Sequence, residues 1–250
     1  MKVASALAAT VLLAGSAFAA TNQVTVPGTA DVWLAGQANG TILQGVYALS
    51  DSAPANSPVL GSTGLNMTAG SYLTFAVTGT TNYNGCQSTT PDGNPCGNFS
   101  TVTAGPYFGI STYAGPINAV IGVFIGPNTP GGTAPAGVDF SSAGAQAQAT
   151  ISPLLNQVFF IGDGLTGTGS GSVQQFIIPA GATRLYLGSS DGAGANYNNS
   201  GSFSVSVSDT GTTSTAPAPV PAASAPILLA TGLLMIVVTG YLLMGRTHAA

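Results

Sequence analysis

Apolar and polar residues alternate along the middle of this chain with the period of two that a strand with one buried face requires. The clearest run is Ser71–Thr78, where Leu73, Phe75 and Val77 share one face and Thr74, Ala76 and Thr78 the other, after a Thr68-Ala69-Gly70 turn. Ser202–Val207 repeats the pattern with Phe203, Val205 and Val207. Ala119–Ile125 is instead almost continuously apolar, which predicts a strand buried on both faces. Further strands are predicted at Val24–Val26, Asp31–Ala35, Asn156–Gly162, Val173–Ile178 and Arg184–Gly188. Pro179-Ala180-Gly181 separates two of them as a turn, with Pro presetting φ and Gly taking a positive φ. Two Gly-rich loops, Asn82–Gly105 and Gly162–Gly171, interrupt the series. Eight or more strands at this spacing predict an all-β domain, a β-sandwich or jelly roll, over residues 20–209.

The ends follow a different rule. Met1-Lys2 is a short positive segment, Val3–Gly15 an uncharged apolar run, and Ala17-Phe18-Ala19 a small-x-small site. That order predicts a cleaved signal peptide over residues 1–19 and an exported mature chain. Ile227–Gly245 carries no charge, and Arg246 follows it. At about 1.5 Å per residue such a helix spans roughly 28 Å, the hydrocarbon thickness of a bilayer. Residues 227–245 are therefore expected to cross the membrane and 246–250 to form a cytoplasmic tail. Residues 210–226, rich in Thr, Ser, Ala and Pro, have the composition of an extended linker.

Composition then narrows the chemistry. Only 4% of residues are charged. Between residues 20 and 226 there are seven Asp, a single Arg (Arg184) and no Lys, Glu or His. One arginine cannot neutralise a phosphate backbone, so nucleic acid is excluded as a partner. Ser-His-Asp and Cys-His catalysis lack their histidine. A pair of Asp could still do glycosidase-type acid–base work, but no pattern pairs any two of them, and no enzyme activity is expected. The two cysteines, Cys86 and Cys96, lie in an Asn/Gly/Pro loop. In an exported chain they favour one disulfide closing that loop over a metal site or free thiols. Oxygen-ligated calcium suits a chain rich in Asp, Asn and carbonyls.

Residues 191–199 are the strongest candidate for such a site. Asp191 offers a carboxylate, Asn198 and Asn199 offer amide oxygens after a loop long enough to wrap back, and carbonyls such as that of Ala195 add to them. On the residues alone, a Gly/Asn-rich turn whose Asn residues satisfy positive φ remains the competing reading.

The stretch from Asp191 through Tyr197-Asn198-Asn199 to Val205 resembles the calcium loop of the bacterial galactophilic lectins, β-sandwich proteins that bind galactose through calcium. The resemblance implies Asp191 as the carboxylate ligand, Ala195 as a ligand through its backbone carbonyl, and Asn198 and Asn199 as amide ligands. Gly70–Tyr83 resembles the family's strand ending in a Tyr whose carbonyl completes the shell, which makes Tyr83 a fifth candidate. Val173–Gly181 resembles the strand and turn ahead of the loop. The bridging mode implies sugar contact at Asp191 and Asn198. The family's His and Gln clasp the sugar from the loop after the Tyr; the matching stretch here, Gln87–Gly97, has no His. Asp92 and Asn94 are the polar candidates to replace those contacts. With so little ligand charge the calcium affinity is expected at roughly 10⁻⁴ to 10⁻³ M.

Pro217–Pro226, the apolar helix and Arg246 resemble the tripartite C-terminal tag of the PEP-CTERM proteins, which implies an exosortase-type processing enzyme as partner, transient anchoring, and delivery to the cell surface or extracellular matrix. The tag departs from the pattern in lacking Pro-Glu-Pro and in having one Arg for a basic cluster; a permanent single-pass anchor is the alternative. Two functions of different class are thus expected: a calcium-dependent module that binds polysaccharide, or a structural surface or matrix protein that keeps the fold and binds no sugar.

Overall fold

Strand Ser200–Asp209 shows how composition and register combine. Its Phe203, Val205 and Val207 are fully buried, while Ser202 and Ser204 on the other face meet solvent. It lies antiparallel between Thr21–Pro27 and Tyr72–Tyr83, with Val205 opposite both Val24 and Val77. Gln175–Ile177 and Thr150–Ile151 continue this sheet, and Cys86–Gln87 pairs with the far end of Tyr72–Tyr83. The computed structural model describes residues 19–45, 49–83, 85–88, 90–93 and 101–210, and the strands lie in one unit, Ala17–Thr212.

A second sheet has the order Val158–Phe160, Val120–Ile125, Arg184–Ser189, Val59–Leu60. All six residues of Val120–Ile125 are buried, which accounts for a run that is apolar rather than alternating. A third sheet joins Val138–Asp139, Tyr113–Pro116 and Thr101–Ala104, and two hairpins pair Ile42–Gln44 with Ser50–Ser52 and Leu165–Gly167 with Ser170–Val173. The described residues are therefore all-β in several sheets, with one short helical turn at Ala143–Gln146 and brief 3₁₀ turns.

Side chains of the first two sheets meet in one core. The ring of Phe176 packs edge-on to Phe75 at 4.8 Å and against Phe159 at 5.7 Å, and Phe159 stacks on Phe124 at 5.2 Å. Each such ring withdrawn from water contributes about 1.5–3 kcal/mol before the entropy of ordering it is subtracted.

Three expectations need correcting. Asp31–Ala35 is not a strand: Asp31 caps a 3₁₀ turn, Val32–Leu34, whose three apolar side chains are all buried. Val173–Ile178 is two strands, broken at Gln174, which turns inward and donates from Nε2 to the carbonyls of Gln146 and Gln148. The 162–171 loop is largely a hairpin. Residues 1–18 of the expected signal peptide, the linker beyond residue 210, the helix at 227–245, the tail, Asn94 and Cys96 lie outside the described residues. Among the described residues no helix is long and apolar enough to cross a membrane.

Candidate functional site

Strand Arg184–Ser189 ends one residue before Ser190, whose backbone and hydroxyl are both tied to Ala119. The chain then leaves the sheet at Asp191. Its Oδ1 accepts the Gly192 N–H at 2.6 Å, while Oδ2 is buried with no hydrogen-bond partner. The loop returns through a 3₁₀ turn, Asn196–Asn198, into strand Ser200–Asp209.

That turn decides which amides face inward. Asn196 is fully buried, and its Nδ2 donates to the carbonyls of Ser189 (2.8 Å), Ala30 (3.2 Å) and Gly28 (3.4 Å). Asn199 is also buried and donates to Gly28 O at 3.2 Å. Both leave Oδ1 without a hydrogen-bond partner. Asn198 and Tyr197 are exposed. Ala195 is buried. The pairing of Ser200 with Asn82 puts Tyr83, half-buried, one register step beyond, level with Asn199. Of the expected ligands the fold buries Asp191, Ala195 and Asn199 in the loop and turns the Asn198 side chain to solvent, while Tyr83 ends the strand that pairs with the one after the loop.

Two acidic residues that the sequence did not single out belong to the same region. Asp51, in strand Ser50–Ser52, accepts Asn196 N–H at Oδ2 (3.0 Å) and Tyr197 N–H at Oδ1 (2.7 Å), so it caps the turn from another strand. Asp31 accepts Trp33 N–H at Oδ1 (2.8 Å), and its Oδ2 is buried without a partner. Glycine permits the close approach these contacts need. A Cβ on Gly45 would fall 1.7 Å from Ala193 O, and one on Gly188 2.5 Å from Ala30 O.

Burial raises all three carboxyls. Asp191 is pushed up to about 6 by desolvation, eased by the Gly192 N–H and the Asn199 side chain and raised again by the charge of Asp51. Desolvation and the neighbouring Asp51 hold Asp31 well above the usual carboxylate range. Asp51 is raised by burial and lowered by the neighbouring Asp31 carboxyl and by the N–H groups of Asn196 and Tyr197. Arg184 lies elsewhere: its guanidinium donates to the carbonyls of Gly126 and Asn128. Among the described residues no three Asp, Glu, His or Cys side chains form a metal-binding group by themselves, so any cation here depends on amide and carbonyl oxygens as well.

Asp92 stands apart from this loop. Its Oδ1 accepts Asp163 N–H at 2.8 Å, and Oδ2 is buried without a partner. With Phe160, Gln146, Thr166 and Thr168 it lines a cavity of about 190 Å³. Burial raises its carboxyl, and the Thr168 side chain and Asp163 N–H lower it. Cys86, beside Tyr83 in the sheet, is not a free thiol.

The chain matches no family model, no characterised protein and no solved structure.

Proposed function

We propose that this is an exported, non-catalytic surface or matrix protein whose β-sandwich domain binds carbohydrate through a calcium ion held at the 191–199 loop. One observation carries the reading: Asp191 Oδ2 and Asn199 Oδ1, on residues that the lectin-like motif names as ligands, are buried at the same loop without hydrogen-bond partners. Leaving such oxygens unpaired costs about 1–3 kcal/mol each, and a hard cation that takes oxygen ligands removes that cost. Ala195 and Tyr83 supply backbone carbonyls. Asn198 and Tyr197, both exposed, present an amide and a ring to an incoming sugar. Asn94 remains a candidate sugar contact, on a loop that a Cys86–Cys96 disulfide would shape. The signal peptide exports the chain, and the C-terminal helix holds it in the membrane until an exosortase-type enzyme releases it to the surface.

The burial of Asp191 and Asn199 favours a second reading, in which calcium welds the fold and binds no sugar. Calorimetry with calcium, followed by a glycan array with and without chelator, separates the two. The lectin reading expects a chelator-sensitive glycan signal. A calcium heat with no glycan signal sinks it and leaves the structural role. Absence of both removes calcium from the account.

A further inference from the structure

We propose that the cavity beside Asp92 is a second ligand site, which takes one pyranose-sized sugar ring without calcium, through hydrogen bonds to Asp92, Thr166 and Thr168 over an apolar floor. It is separate from the 191–199 loop and does not rest on the calcium reading.

The chain sets the walls before any ligand arrives. Val120 N–H donates to the carbonyl of Pro91 at 3.0 Å, and Asp92 forms an antiparallel bridge with Ala119. Asp92 Oδ1 holds Asp163 N–H, and Asp163 in turn holds the N–H groups of Leu165 and Gly169. The carboxyl and the hairpin that shares the cavity with it are thereby fixed as a unit. Gly162 permits the approach, since a Cβ there would fall 2.1 Å from Asp92 Oδ1. Gln146 Nε2 donates to Phe140 O at 2.8 Å, and Gln174 Nε2 holds the Gln146 carbonyl at 2.7 Å. The ring of Phe160 lies 6.1 Å from that of Phe140. A preformed wall spares the ligand the entropy of ordering it.

Three features choose the ligand. Volume is the first. An apolar cavity of about 150 Å³ accepts benzene, so the cavity here, about 190 Å³, has room for one six-membered ring with hydroxyls. The second is a bare acceptor. Asp92 Oδ2 is buried with no hydrogen-bond partner among the described residues. The Thr168 hydroxyl is near enough to lower the carboxyl but does not complete that oxygen. Such an oxygen favours a ligand that donates. Third, the remaining polar wall gives as well as takes. Thr166 Oγ1 accepts Ser172 N–H at 3.0 Å, which leaves its O–H to donate. An ammonium ion has donors only and cannot use that group, whereas sugar hydroxyls can donate to Asp92 and accept from Thr166. Phe160 and Leu165 offer apolar surface to the C–H face of the ring.

The test is ligand-observed NMR titration of the full chain in mild detergent, with chelator present so that the calcium loop contributes nothing. The probes are glucose, galactose and mannose, their methyl glycosides, and ethylamine as the cationic control. At least one sugar should bind the parent. Ala147→Trp, at an exposed residue lining the cavity, should abolish that binding and leave Tm nearly unchanged. Asp92→Asn can keep the acceptor for Asp163 N–H and should weaken binding by about tenfold. Capture of the free sugar alone identifies a soluble ligand, capture of the methyl glycoside as well identifies a chain end, and either upholds the site. No sugar bound under chelator overturns the proposal, as does sugar binding that survives both variants. Ethylamine bound in place of every sugar overturns it too. A parent that captures a sugar here but binds no calcium keeps this inference and loses the calcium reading.

Discussion

Two acidic regions of this domain bury carboxylates in opposite ways. At the 163–169 hairpin, Asp163 accepts Leu165 N–H at Oδ1 (2.8 Å) and Gly169 N–H at Oδ2 (2.6 Å), so each oxygen has its donor from the turn it organises. Asp209 does the same with Ala20 N–H (2.8 Å) and Asn66 N–H (2.6 Å). At the 191–199 loop, Asp191 has one oxygen bonded and one bare, and the bare oxygens of Asp31, Asn196 and Asn199 belong to the same region. Backbone donors complete the carboxylates of Asp163 and Asp209. The second arrangement leaves these oxygens without a donor, and on this difference the calcium proposal rests.

The comparison can be broken in four places. Asp163→Ala should cost the most, about 3 kcal/mol, because two backbone N–H groups lose a charged acceptor. Urea unfolding should give the same loss with calcium and with chelator, and a calcium-dependent loss would erase the contrast. Asp191→Asn should change chelated stability by less than about 1 kcal/mol. It should also remove the calcium stabilisation of the parent, about 2.7 kcal/mol at one hundred times the dissociation constant. Melting curves at several calcium concentrations read both. A smaller effect attaches to Asp92. Its carboxyl is raised by burial, so its proton is held more tightly folded than unfolded, and the charge of Asp163 adds to the shift. The stability this gives is complete below the ordinary carboxylate range and is lost as pH rises through the raised value. Asp92→Asn should flatten that slope in unfolding measured across mildly acid pH. Smallest of all, Tyr197→Ala, at a side chain 47% exposed, should alter stability by under about 0.5 kcal/mol and show itself only in glycan capture.

The long strands were legible because their burial is local. Ser71–Thr78 and Ser202–Val207 alternate, and the structure pairs both, extended at their ends to Tyr72–Tyr83 and Ser200–Asp209. Short strands such as Val59–Leu60 and Val138–Asp139 carry too few residues to show a period. Asp31–Ala35 misled because three consecutive apolar residues suit a buried 3₁₀ turn as well as a strand; the Asp before them, a capping residue, was the signal to the contrary. In the candidate site, the sequence named Asp191, Asn198 and Asn199 together, and the fold buries Asp191 and Asn199 but exposes Asn198. Asn196 was not named, because which amide of a turn faces inward is set by the turn and not by the count. Asp51 could not be found at all from its neighbours: the N–H groups it holds belong to Asn196 and Tyr197, 145 and 146 residues away.

The solitary Arg184 has a consequence outside the site. Digestive enzymes that cut after Lys or Arg, which the chain would meet if exported as proposed, find one target between residues 20 and 226. That peptide lies within a sheet strand, with Arg184 and Leu185 facing Ile125 and Phe124 on one side. On the other side Leu185 receives Gly61 N–H at its carbonyl and gives its own N–H to the Ser62 hydroxyl. To be cleaved there the strand must first leave the sheet. The scarcity of charge that closes off so many kinds of chemistry also leaves the folded domain with almost nothing for such enzymes to grip.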